Sequence, residues 1–151
     1  SKVQQLESEL EKLSRAEMRE VRDFLDEILE DELEFTPEFE AQIRQSEREL
    51  AQESARAFAE SPGRLTAPVQ VFYRAFDAAF FNLPADVRQR IESKIDELAF
   101  RLDSFPHERL TGSNRYRLRV GNYRVIYTFD LDQGLIHLLA VGHRREIYRK
   151  R

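Results

Sequence analysis

The run from Arg115 to Tyr127, RYRLRVGNYRVIY, restricts this chain more than any other stretch. In an extended backbone, residues two apart share a face, so Arg117 and Arg119 project to one side while Tyr116, Leu118 and Val120 project to the other. Gly121-Asn122 is a turn signal, and Tyr123 to Tyr127 alternates again as the return strand of a hairpin. From Arg109 to Phe129 there are five arginines and no acidic residue. A sheet face with that much positive charge suits a polyanion.

Around this hairpin the chain reads as strand, helices and more strands. Val69 to Tyr73 is a strand, Asp77 to Leu83 a short helix, and Pro84 restarts a helix whose stripe is Val87, Ile91, Ile95 and Leu98. After the hairpin come a turn at Leu131 to Gly134, an apolar strand from Leu135 to Val141 and a last short strand ending at Tyr148. The apolar strand belongs in the middle of the sheet, because both of its faces need cover.

The N-terminal part is helical and of opposite charge. Residues 1–66 carry net −9 and residues 67–151 net +5, within an overall −4. Such asymmetry points to a polyanion-binding part joined to an acidic partner. Val3, Leu6, Leu10 and Leu13 form a seam two heptads long, suited either to packing on neighbouring helices or to a dimer. Ser14-Arg15-Ala16-Glu17 is a capping box that opens a second helix, with Met18, Val21, Leu25 and Ile28 as its stripe. Acids at Glu30 to Glu32 oppose a helix C-terminus and end it. Thr36 then caps a third helix, Pro37 to about Ala59, with Pro37 at its first position. Its apolar content fades beyond Leu50, so it needs a surface to lie against. A linker, 61–68, separates these helices from the rest.

Cysteine is absent, which excludes disulfides, thiolate metal sites and cysteine nucleophiles. No apolar run approaches the roughly 20 residues of a membrane span, and the first residues are unlike a signal peptide. A cytoplasmic chain without a membrane partner is expected. Residues 1–60 are acidic and show neither a helix-turn-helix nor a basic arm, so DNA binding by them is not expected.

The order Leu110-Thr111-Gly112, Tyr116 to Gly121, Tyr123 to Tyr127 and Val141-Gly142-His143-Arg144-Arg145-Glu146-Ile147-Tyr148 resembles the RelE/ParE superfamily of bacterial toxins over residues 69–151. Residues 14–60 resemble the small antitoxins that accompany such toxins. The resemblance implies an α+β fold: an N-terminal helical antitoxin segment, 1–60, wrapped on a strand, two helices and an antiparallel sheet. It implies a toxin–antitoxin pair fused in one chain, and no methionine follows Met18 to start a second one. The RelE branch cleaves mRNA on the ribosome without a metal or cofactor, the 2′-OH attacking the adjacent phosphate. Implied partners are mRNA in the ribosomal A site, ribosomal RNA, and the antitoxin segment in cis or swapped between chains, with a homodimer as a further option. The ParE branch shares the fold but inhibits DNA gyrase, which leaves a non-enzymatic alternative.

Carried onto this sequence, the site is Arg117, Arg119, Arg124, Arg144 and Tyr148, with His143 beside them and Arg109, Arg115 and Arg145 as further RNA contacts. Guanidinium forks match phosphate oxygens bidentately. Well-known relatives carry lysines where Arg117 and Arg119 stand, and arginine does not release its proton. The proton carrier is therefore expected at His143 or Tyr148, the tyrosine being equally suited to stacking on a base. Tyr116, Tyr123 and Tyr127 are read as packing residues, and His107 and His137 as structural.

Overall fold

A computed structural model describes residues 1–60 and 68–149. The expected linker, apart from Pro68, lies outside the described residues. The chain divides into two compact units, Ser1–Leu33 and Glu34–Arg151.

The first unit holds α1 (Lys2–Leu10) and α2 (Arg15–Glu30). The capping box forms as the sequence predicts. Ser14 Oγ accepts from the Glu17 amide at 3.2 Å, and Glu17 Oε1 accepts from the Ser14 amide at 2.9 Å. Neither helix buries an apolar side chain.

The second unit holds α3 (Pro37–Glu60), β1 (Val69–Phe72), α4 (Arg74–Phe80), α5 (Ala85–Phe100), β2 (Glu108–Arg109), β3 (Tyr116–Val120), β4 (Tyr123–Asp130), β5 (Leu135–His143) and α6 (Arg144–Ile147). The sheet order is β1-β5-β4-β3-β2. Neighbours from β2 to β5 run antiparallel, and β1 joins β5 in parallel. The apolar strand β5 is internal, as expected. Gly121 takes φ +58° and no non-glycine residue is positive among the described residues, so the β3–β4 loop has the positive φ at its first central position only, as a type II′ turn requires.

One face of the sheet makes the main core. Leu118, Val120, Val125, Tyr127 and Val141 meet Phe76, Phe80, Ile91, Ile95 and Leu98 from α4 and α5. On the opposite face lies α3. Its Phe39 and Ile43 are buried, Ser46 Oγ donates to the Leu139 carbonyl at 2.7 Å, and a Cβ built on Gly142 would sit 3.4 Å from the Phe39 ring. Thr36 Oγ1 caps the helix by accepting from the Phe39 amide at 3.1 Å. The surface that α3 requires is thus the arginine face of the sheet.

Two sequence readings are corrected. The segment after β5 is a helical turn, because His143 Nδ1 accepts from the Arg145 amide at 3.1 Å and caps it. The short helix begins at Arg74 and ends at Phe80, earlier than Asp77 to Leu83, since Phe76 and Phe80, one turn apart, both reach the core.

Candidate active site

The alternation in β3 places Arg117 and Arg119 side by side, opposite the core-facing Leu118 and Val120. The cross-strand neighbour of Arg117 on β2 is Glu108, so its carboxylate points to the same face. Glu108 Oε1 accepts from Arg117 Nε at 3.0 Å and Arg119 Nε at 3.2 Å, and Oε2 accepts from Arg119 Nη2 at 3.1 Å. One carboxylate therefore orients two guanidiniums. Burial pushes the Glu108 pKa up, but hydrogen bonds from Arg117 and then Arg119 outweigh it and hold the group below the usual carboxylate range.

Arg117 is buried, and its Nη1 donates to the Tyr148 hydroxyl at 3.1 Å. A guanidinium can only donate, so the phenol oxygen accepts this bond. Tyr148 is fixed from the other side by Phe35, whose ring stacks at 5.4 Å and 12°. The two residues form an antiparallel bridge, flanked by the Thr36 amide donating to the Ile147 carbonyl and the Arg149 amide donating to the Glu34 carbonyl, each at 2.8 Å.

Among the other residues read from the sequence, Arg124 lies opposite Arg119 and is buried. Its Nη1 donates to the carbonyls of Gly121 and Tyr123 at 2.8 and 2.9 Å, so it braces the turn. Arg115 forms a four-bond clamp on α3: two bonds to Glu40 at 2.7 and 2.8 Å and two to Glu47 at 2.9 and 3.0 Å. Glu40 and then Glu47 raise the Arg115 pKa further, and Arg115 in turn lowers that of Glu40.

His143 is not brought to Arg117. It shares the strand face of Val141, which points into the α4–α5 core, and its ring meets Tyr123 edge-on at 5.0 Å. It lines a cavity of about 460 Å³ walled also by Phe39 and Gln42 of α3 and by Glu146 of α6. Arg144 is half-buried, with its amide donating to the Asn122 carbonyl at 2.8 Å. Arg109 and Arg145 are exposed, Arg109 Nε donating to the Ser113 carbonyl at 2.8 Å.

His107 and His137 have structural partners, as expected. The Leu102 carbonyl lies 2.8 Å from His107 Nε2 and can only accept, so Nε2 donates to it, and Nδ1 lies 2.6 Å from the Tyr127 hydroxyl. His137 Nδ1 and the Tyr73 hydroxyl are 2.9 Å apart, and burial depresses the His137 pKa.

Glu108 is the residue that the sequence reading missed. The acid-free window beginning at Arg109 stops one residue short of it. The available signal was the two-residue step that puts an acid at position 108 on the strand next to the arginines.

Residues 70–148 match a family model described as the ParE toxin of the type II toxin-antitoxin system, parDE. The chain belongs to the ParE toxin family. Among solved structures, this ParE-family chain is similar to the archaeal RelE–RelB complex from Pyrococcus horikoshii OT3, at 25% identity over 52% of this chain and 97% of that one, with a TM-score of 0.46. It is also similar to the RelB–RelE antitoxin–toxin complex from Methanococcus jannaschii, at 28% identity over 50% and 91%, with a TM-score of 0.40. The intact E. coli RelBE complex matches at 21% identity over 56% and 100%, with a TM-score of 0.43. No curated protein matches the ParE-family chain. Among its described residues, no helix is long and apolar enough to cross a membrane and no cluster of side chains is suited to hold a metal ion.

Proposed function

We propose that residues 69–151 are a metal-independent endoribonuclease acting on mRNA at the ribosome, and that residues 1–60 are an antitoxin segment that neutralises it within the same chain. The observation that carries this reading is the cluster of Arg117, Arg119, Glu108 and Tyr148, with Phe35 stacked on the tyrosine. Arg117 and Arg119 hold the scissile phosphate and the charge that builds on it, with Arg124 fixing the hairpin beneath them. Glu108 takes the 2′-OH proton as the 2′-oxygen bonds to phosphorus. The bond from phosphorus to the 5′-oxygen breaks, and Tyr148 gives its proton to that oxygen, leaving a 2′,3′-cyclic phosphate and a 5′-OH. His143, Arg109, Arg115, Arg144 and Arg145 meet the RNA beyond the cut.

The segment 34–50 supports neutralisation because it covers these groups: Phe35 occupies the face of Tyr148, and Glu40 and Glu47 hold Arg115 where phosphates would otherwise sit. The test compares the intact chain with a Phe35→Ala, Glu40→Lys, Glu47→Lys variant on translating ribosomes. Cleavage of mRNA by the variant alone is expected, and Arg117→Ala in the same background abolishes it. The family description favours one second reading, inhibition of DNA gyrase. Loss of supercoiling with no RNA cleavage by the variant would replace the first reading with the second.

A further inference from the structure

The cavity of about 460 Å³ between α3 and the end of β5 has a chemistry opposite to that of the arginine face. Its volume is in the range of small-molecule sites, and α3, α4, β5 and α6 each supply part of its wall. No lysine or arginine is among its described lining residues. Glu38 of α3 and Glu146 of α6 line it and are exposed, so their carboxylates stand at its rim. Neither is paired among the described residues.

The cavity also holds an acceptor that lacks a donor. Gln42 Oε1 is shielded from solvent and accepts no hydrogen bond. Asn82 donates its amide nitrogen to the Ala78 carbonyl at 3.0 Å, which leaves its Oδ1 as one more acceptor. A shielded acceptor without a partner is destabilising, and a ligand that brings the donor removes that cost. Phe39 and Val141, both buried, give the same cavity an apolar wall.

These groups require a ligand with several N–H donors, a positive charge and a short apolar stem. A guanidinium has five donors in one plane and a permanent charge. It is more weakly hydrated than an ammonium, so it loses less water on reaching Gln42. With four elements enclosing the cavity, a free compound fits better than an arginine that carries a peptide backbone with it.

We propose that this cavity binds a small alkylguanidinium compound, with Glu38, Gln42 and Glu146 as its acceptors. The ligand touches α3 on one side and α4, β5 and α6 on the other, so it binds only while α3 lies on the sheet. Its binding holds α3 down by linkage.

Calorimetric titration of the intact chain with n-butylguanidinium tests this. The expected result is one saturable site with a Kd below about 1 mM, a modest demand for so small a ligand. Binding of n-pentylammonium and of the blocked tripeptide Gly-Arg-Gly is expected to be weaker by about ten-fold or more. Gln42→Leu and Glu146→Gln, neither at a buried position, each weaken butylguanidinium binding by about ten-fold and leave the near-ultraviolet spectrum unchanged. At ten times the Kd, amide exchange over Glu38 to Leu50 slows by about eleven-fold. Neither readout involves RNA, so both stand apart from the proposed cleavage. No saturable binding of butylguanidinium, equal binding of the ammonium compound or the tripeptide, an affinity that both variants leave unchanged, or unaltered exchange in α3 would each overturn the proposal.

Discussion

At the scale of the residue, Glu108 does two jobs that pull apart under mutation. It compensates Arg117, whose side chain is 2% exposed, while being itself 34% exposed. Removing its charge leaves a buried guanidinium without that partner, so Glu108→Gln is expected to cost about 2 kcal/mol, below the range for a fully buried pair because water reaches the carboxylate. The sign of the pH effect follows from its lowered pKa. Folded Glu108 binds its proton less readily than the unfolded group, whose ordinary value is 4.5. Its stabilisation is complete above that value and is lost as pH falls through the folded pKa. Urea titrations from pH 7 down to pH 3 should show a decline that is shallower in Glu108→Gln. In the released toxin the same substitution should slow cleavage by about 100-fold or more if Glu108 takes the 2′-OH proton. His143→Ala should leave the acid limb of the rate profile where it was.

At the scale of the element, α3 is an amphipathic strap whose two kinds of anchor differ in their response to salt. Phe39, Ile43 and Ser46 attach it by burial and a short hydrogen bond, whereas Glu40 and Glu47 attach it through Arg115, whose side chain is 15% exposed. Reversing both acids with Glu40→Lys and Glu47→Lys is expected to lower the opening free energy of α3 by about 2 kcal/mol, roughly thirty-fold in amide exchange. Hydrogen exchange over Glu38 to Leu50 measures this. In the unmodified chain the same amides should exchange faster as salt rises.

The elements themselves were largely legible in the sequence. The hairpin was carried by strict alternation, α2 by its capping box, α3 by Thr36-Pro37, and the internal place of β5 by its apolar run. What was not legible was long-range. Glu108 sits on a two-residue strand, too short for a periodicity, and becomes a neighbour of Arg117 only once β2 pairs with β3. The face chosen by His143 depends on where β5 ends, which its flanking sequence does not mark. Nothing local links Phe35 to Tyr148, since their pairing joins the two ends of one unit.

At the scale of the whole molecule, the two units differ in what holds them. The Glu34–Arg151 unit has a layered core around Tyr127, Ile95 and Leu98, while α1 and α2 bury no apolar side chain of their own. Exchange protection should therefore be highest in β4 and β5 and lowest in α1 and α2. Equal protection in both units would contradict this division.

The bridge between Phe35 and Tyr148 also sets an order in time. Chains emerge from the ribosome N-terminus first, so Phe35 and all of α3 are already outside when the sheet is made, and Tyr148 appears only after the whole of that sheet. On the proposed reading, the phenol that completes the site arrives last and meets its cover at once. A toxin made this way has no interval of activity during its own synthesis.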